Sequence, residues 1–360
     1  MRGILTSITF FITALCGAQV AKYSNEFLNI GVGARALGMA NANVVTSEGA
    51  YAGYWNPAGL LNQKSDLDFG LMHAEYFAGI AKYDFMGATK RIDSNSVAGI
   101  SLLRFGVDNI PNTLDLQDAN GNSDYSRVST FSTVDFAALM SYARNIPSLK
   151  GVQLGGNFKI IRRRIGDFGG AWGFGLDAAA CYQYKDWKFA AMGRDITGTF
   201  NAWTYNNSQK LKDVFNQTGN TIPSSSTEIT LPKIILGVAR TYLFWQKRIS
   251  VMGELNLINT FDGMRNTVVK SKYWSMEPCF GAEFGYKGLV FLRGGIGNVQ
   301  QQLNDRATQY VVTYQPNIGV GIKYQIFSLD YALTDIGDHS ASLYSNIFSL
   351  KIALTGKMNK

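Results

Sequence analysis

From Asp66 onward the chain falls repeatedly into a two-residue alternation of apolar and polar side chains. In residues 317–325, Ile318, Val320, Ile322 and Tyr324 share one face of an extended strand, and Asn317, Gly319, Gly321, Lys323 and Gln325 share the other. Phe327, Leu329, Tyr331 and Leu333 oppose Ser328, Asp330 and Ala332, and Phe348, Leu350, Ile352 and Leu354 oppose Ser349, Lys351 and Ala353. The same period recurs at 134–142, 152–160, 173–184 and 280–287. Strands are predicted near 67–73, 80–90, 96–106, 131–144, 151–163, 172–184, 187–199, 230–243, 248–260, 278–287, 289–298, 316–325, 327–335 and 345–355.

Two architectures show such alternation: a soluble β-sandwich and a transmembrane barrel. The segments are near the ~9–11 residues of a tilted strand crossing a bilayer. Aromatic residues stand near their ends, at Tyr182, Tyr184, Trp187, Tyr242, Trp245, Tyr324 and Tyr331, where a barrel places its interfacial girdles. The connections also alternate in length. One set is tight: 91–95, 145–150, 185–186, 244–247, 288 and 326. The interleaved set is mostly long: 106–130, 164–171, 198–229, 261–277, 299–315 and 336–344. The fold class expected is therefore all-β transmembrane, an antiparallel outer-membrane β-barrel of about fourteen strands. With both termini periplasmic, the long loops lie outside the cell.

Residues 1–18 hold the one sustained apolar run, with Arg2 ahead of it and Cys16-Gly17-Ala18 behind. This pattern predicts a secretory signal peptide cleaved after Ala18. A lipoprotein signal built on Cys16 is the alternative, and the bulk of Leu15 disfavours it. No later stretch reaches the ~20 apolar residues of a membrane helix, in line with a mean hydropathy of −0.04. Cys181 and Cys279 read as isolated strand residues. The net charge of +8 is scattered rather than clustered, which excludes a nucleic-acid groove. No Cys/His spacing suggests a metal, and no cofactor is expected. Of the two histidines, His73 ends a strand and His339 sits in a loop, so a catalytic triad is not expected.

Residues 31–61, GVGARALGMANANVVTSEGAYAGYWNPAGLL, do not alternate. Residues 34–42 predict about two helical turns, with Gly38 tolerated where a wall approaches closely. Trp55-Asn56-Pro57-Ala58-Gly59 predicts a turn. The expected organisation is a leader at 1–18, a plug at 19–65, a barrel at 66–356 and a tail at 357–360. The plug either simply occludes the lumen or gates it. Arg104, Lys159, Arg293, Lys323 and Lys351 are expected to face the lumen and to pair with Asp135, Asp177, Glu254, Glu283 and Asp330. Phe200, Trp203, Tyr205 and Phe215, in the longest connection, either pack on the barrel mouth or contact a partner. The acidic loop segment DLQDANGNSD is loosely spaced like a calcium loop, but it lacks the terminal Glu and reads as solvated.

Gly33, Ala34, Arg35, Gly38, Trp55, Asn56, Pro57, Ala58 and Gly59 carry a resemblance. The stretch resembles the N-terminal signature of FadL-like outer-membrane proteins, and more closely the PorV/PorQ branch of the Bacteroidetes type IX secretion system. The resemblance implies a fourteen-stranded barrel with an N-terminal hatch in the outer membrane. It implies a non-enzymatic role in protein export, with a SprA-type translocon barrel and secreted proteins bearing C-terminal sorting domains as partners. A FadL-like passive channel for hydrophobic small molecules is the alternative. The polar inward positions weaken it. The chain ends LTGKMNK rather than on an aromatic residue, a departure from many outer-membrane barrels.

Overall fold

The computed structural model describes residues 19–20, 24–116, 122–303, 308–334 and 344–355. The expected leader, the tail at 357–360, His339 and the centre of the acidic loop lie outside the described residues.

Alternation becomes fourteen antiparallel barrel strands: β1 (Leu67–Tyr76), β2 (Ala81–Arg91), β3 (Ser96–Asn112), β4 (Ser129–Asn145), β5 (Val152–Ile165), β6 (Gly169–Tyr184) and β7 (Trp187–Arg194), followed by β8 (Lys233–Phe244), β9 (Ile249–Thr260), β10 (Ser275–Tyr286), β11 (Val290–Leu303), β12 (Tyr310–Tyr324), β13 (Phe327–Thr334) and β14 (Ser345–Leu354). Each pairs with the next, and β14 returns to β1 with Phe348 opposite His73, which closes the ring. Closure satisfies the backbone without a free edge, as hydrocarbon surroundings demand. No helix among the described residues is long and apolar enough to cross a membrane. The strands do the crossing.

Phase follows the pattern read from the sequence. Along β12, Ile318, Val320 and Ile322 face out and are half exposed, while Asn317, Gly319 and Gly321 face in and are buried. The large exposed apolar side chains form the lipid-facing coat.

Several strands run further than expected on the long-loop side. β3 and β4 have 17 residues each. The connection expected at 164–171 shrinks to residues 166–168, and that at 299–315 to residues 304–309. Beyond the bilayer these ladders simply continue in water, so hydrophobic patterning gives no stop signal.

The long connection at 198–229 is itself folded. It holds a hairpin of Thr199–Tyr205 and Ser226–Thr230 around a helix, Gln209–Gln217. β6 pairs with β7 up to Ala178 opposite Gly193, then with the hairpin from Phe174 opposite Phe200. Left-handed Asp195 (φ 56°) and Gly198 (φ 69°) bend the chain between the two pairings. Gln19–Val20 adds to the hairpin edge as a parallel strand against Glu228 and Ile229.

Candidate functional site: the plugged lumen

Inside the ring, residues 24–66 fold into short turns: Glu26–Leu28, helix α1 (Ala34–Leu37), Gly49–Tyr51, helix α2 (Ala52–Trp55) and Pro57–Asn62. The two helical turns expected over 34–42 stop after one. Ala40 (φ 52°) and Asn41 (φ 68°) are left-handed and end the helix.

The plug lies flat on the wall because glycines meet there. A Cβ on Gly38 would stand 2.9 Å from the Cα of Gly319 on β12, where no side chain fits. Gly281 and Gly295 receive Met39 in the same way, and Gly155 receives the Pro57-Ala58 backbone. The inward glycines of the strands are thus a seat for the plug backbone.

The turn motif is buried and fully used. Asn56 has no exposed surface. Its Oδ1 accepts from the Ala58 amide at 3.0 Å, and its Nδ2 donates to the Val44 carbonyl at 2.7 Å and to Cys181 Sγ at 3.0 Å. Trp55 Nε1 donates to the Val32 carbonyl at 2.8 Å. Pro57 sits at the first position of its turn, where no amide donor is required. Gly59 lets the backbone pass the Ser47 carbonyl, within 2.7 Å of where a Cβ would lie. Gly33 adopts φ 84° ahead of α1.

Charged side chains then bolt the plug to the barrel. Arg35 Nε donates to Glu283 at 2.8 Å, and its Nη1 donates to Asn43 Oδ1 at 2.8 Å. Glu283 also binds Arg293 at 2.7 Å, which reaches Asp330 at 2.6 Å. Lys351 bridges Glu48 of the plug at 2.8 Å and Asp68 at 3.3 Å. Glu254 accepts from the amides of Val45 and Thr46 at 2.8 and 3.1 Å and from the Thr46 hydroxyl at 2.6 Å. Lys159 bridges Asp177 at 2.7 Å and Asp195, beside the bend. Burial works against the charged form of Arg35, but the neighbouring Glu283 carboxylate outweighs it and raises the Arg35 pKa. The low-dielectric walls of the lumen likewise oppose ionised Glu48, although its side chain is 46% exposed to the cavity, and the Lys351 ammonium outweighs them, holding Glu48 below the ordinary carboxylate range.

Lys323 lines the mouth of a cavity of about 180 Å³ at the short-turn end, together with Arg35, Glu48, Arg293 and Lys351. A second lumen cavity of about 360 Å³ on the long-loop side is lined by Asn29, Arg194, Lys233, Glu277, Gln315 and Asn317 among others.

Arg104 departs from expectation. It faces outward, where its Nη1 donates to Asp84 at 3.0 Å, while Leu103 and Phe105 on either side turn to the plug. Leu102 and Leu103 are adjacent and both apolar, so alternation alone does not fix the phase of β3. Asp135 pairs instead with Arg163, at 3.0 and 3.1 Å. His73 also stands on the outer wall, 2.7 Å from Asp84.

In the folded connection, Trp203 points inward, donates to Glu228 at 2.8 Å and lies under Arg163. Tyr205 stacks on it, Phe200 leans on Phe174 of β6, and Phe215 is partly covered on the loop helix. Arg194 is a plug anchor that the sequence reading missed. It donates to the carbonyls of Leu28 at 3.0 Å and Tyr54 at 2.7 Å and covers the Tyr54 ring. Its only sequence signal is one arginine at a strand end. Cys181 and Cys279 are buried free thiols.

A closed ring with a lipid-facing apolar coat and a folded segment filling its lumen defines a plugged outer-membrane β-barrel. The model of the family "Type IX secretion system protein PorV" matches residues 17–228, more than half of the chain, and the chain belongs to that family. No curated protein matches the sequence. Among solved structures, the CymD monoaromatic hydrocarbon channel aligns with a TM-score of 0.53 and 12% identity, covering 91% of this chain and 98% of its own. The Ralstonia pickettii toluene transporter TbuX aligns with a TM-score of 0.53 and 13% identity over 90% of this chain and 98% of that one. The P. putida toluene transporter TodX gives 0.53 and 12%, over 91% and 99%. At such identities the likeness establishes a shared FadL-like fold.

Proposed function

We propose that the protein works in type IX secretion as a sealed, non-enzymatic barrel. It binds a SprA-type translocon barrel, or exported proteins with C-terminal sorting domains, through its loops and outer wall. The observation that carries this reading is the plug. It is held by backbone-to-glycine contact and by ion pairs from its Arg35 and Glu48 to Glu283 and Lys351 of the wall, so the lumen is filled by the chain itself. Traffic through the middle would have to break those contacts. A passive channel for hydrophobic molecules needs an apolar conduit, whereas the two lumen cavities are lined largely by charged and amide side chains. The hairpin with its helix at 209–217 offers a built surface on the long-loop side.

The test is recovery of partners from native membranes in mild detergent. The intact protein is expected to bring down a translocon barrel or a sorting-domain protein. A variant in which 207–224 is replaced by a short glycine linker keeps its heat-resistant barrel and loses that recovery. Recovery of neither partner by the intact protein overturns the proposal.

A further inference from the structure

Six neighbouring strands each place one outward side chain in a single cross-strand row. His73 stands opposite Asp84, Asp84 opposite Arg104, Arg104 opposite Phe136, Phe136 opposite Arg162, and Arg162 opposite Trp172. Four of the six are polar or charged, on a wall that otherwise faces hydrocarbon. Asp84 is held by both His73 at 2.7 Å and Arg104 at 3.0 Å. Arg162 lies over the Trp172 ring at 5.1 Å and donates to the Ala171 carbonyl at 3.3 Å. It makes no ion pair among the described residues. Arg104 and Arg162 are two strands apart, about 10 Å at ordinary sheet spacing.

One step toward the short-turn end along the first five of these strands, the outward residues become Leu71, Met86, Leu102, Ala138 and Ile160. These line a groove of about 680 Å³, completed by Leu350. The volume falls in the ~300–1,000 Å³ range of small-molecule sites. The groove therefore runs from a cationic, aromatic rim on the long-loop side toward the apolar middle of the wall. That polarity matches one molecule class. An acyl chain lies in the groove, and an anionic head group reaches back to the rim. Short turns face the periplasm in such barrels, so the rim lies at the outer leaflet.

We infer that this groove is a binding site for one phosphorylated lipid of the outer leaflet, its acyl chain along Leu71, Met86, Leu102 and Ala138 and its phosphate held by Arg162 and Arg104. Basic pockets at the level of lipid head groups act in this way. Trp172 backs the Arg162 guanidinium at the rim, and Asp84 takes only Nη1 of Arg104, whose guanidinium makes no other hydrogen bond among the described residues. A second protein on the same wall is the competing occupant. The step from a row rich in charged side chains to Leu71, Met86, Leu102, Ala138 and Ile160 directly below it, strand after strand, favours a molecule that is itself polar at one end and apolar along its length.

The experiment measures phosphorylated lipid retained per barrel after exhaustive detergent exchange, by phosphate assay and mass spectrometry. Two variants accompany the intact protein: Arg162→Gln, which removes the head-group contact, and Ala138→Phe, which fills the groove without touching a charge. The intact protein is expected to keep about one lipid, and Arg162→Gln to keep about fivefold less, the value of one basic contact at a membrane surface. Ala138→Phe is expected to lose it as well. Both variants must show the heat-resistant migration of the intact barrel. A photo-crosslinker at Leu102, activated in whole membranes, gives a lipid-sized adduct. Equal retention by all three proteins, or a discrete protein adduct at Leu102, overturns the inference.

Discussion

Arg35 and Glu283 are 248 residues apart in the chain and 2.8 Å apart in the lumen. This contact ties the first helix of the plug to β10, and through Arg293 it continues to Asp330 on β13. Arg35→Ala leaves Glu283 and Arg293 paired but frees α1. Arg35 is 27% exposed, so the loss is expected near 2–3 kcal/mol, below the cost of breaking a fully buried pair. Thermal unfolding in detergent reads the destabilisation, and limited proteolysis is expected to cut the variant first within 31–61. An uncut plug in Arg35→Ala contradicts the anchoring role.

Lys323 and Lys351 were grouped by sequence as lumen charges, and the structure separates them. Lys351 joins Glu48 of the plug to Asp68 at the foot of β1. Lys323 sits at the mouth of the cavity at the short-turn end. Lys351→Ala is expected to lower the melting temperature clearly, and Lys323→Ala to leave it within about 0.5 kcal/mol of the intact protein. Neither is expected to open a steady conductance in planar bilayers, since the glycine-seated turns still fill the lumen. Equal destabilisation by the two would mean that the Lys351 bridge carries no special load.

These cases show how much was legible. Strand number, inward phase and the plug all follow from period-2 alternation and its interruption at 31–61. A barrel wall has two chemically opposite solvents, and every residue reports one of them. Alternation goes silent where both neighbours are apolar, as at Leu102-Leu103, and Arg104 was misplaced for that reason. It also goes silent above the bilayer, where β3, β4, β11 and β12 continue in water. The plug motif was visible as residue types, but its partners were not. Arg194 meets Leu28 and Tyr54 only once the ring has closed.

Gly38 and Gly319 test the seating directly. A side chain at either position meets the opposing backbone at 2.9 to 3.2 Å. Gly38→Val and Gly319→Val are each expected to cost about 1–3 kcal/mol by overpacking, and more if the backbone cannot yield. Gly288, in a turn with nothing within 4 Å of its Cβ position, is the control for an added side chain. Its φ of 66° calls for Gly288→Asn rather than a β-branched residue. The comparison is made by thermal melts and by protease cleavage of the plug. Melting of Gly38→Val and Gly288→Asn at the same temperature would remove the close approach as the reason for the glycine.

Glu48 supplies a pH signature for plug release. The surrounding lumen wall opposes its charge, and Lys351 outweighs that effect and holds its carboxyl below the ordinary value. A carboxylate depressed in the folded state adds stability that is fully present above its unfolded pKa, about 4.3. That stability drains away as pH falls through the lower, folded value. Above pH 6 the contribution of the pair is constant, and below about pH 4 it declines. Glu48→Gln removes the titrating group. The difference in melting temperature between intact protein and Glu48→Gln is therefore expected to be flat from pH 8 to pH 6 and to shrink progressively below about pH 4. Subtracting the two melts cancels the other carboxylates, which titrate in both proteins. A difference that stays constant down to pH 3 would show that the Lys351 ammonium does not hold the Glu48 proton off, and that the plug is tied to β14 by its uncharged contacts, such as the Ala34 amide on Ser349 and the Tyr51 hydroxyl on the Leu350 carbonyl.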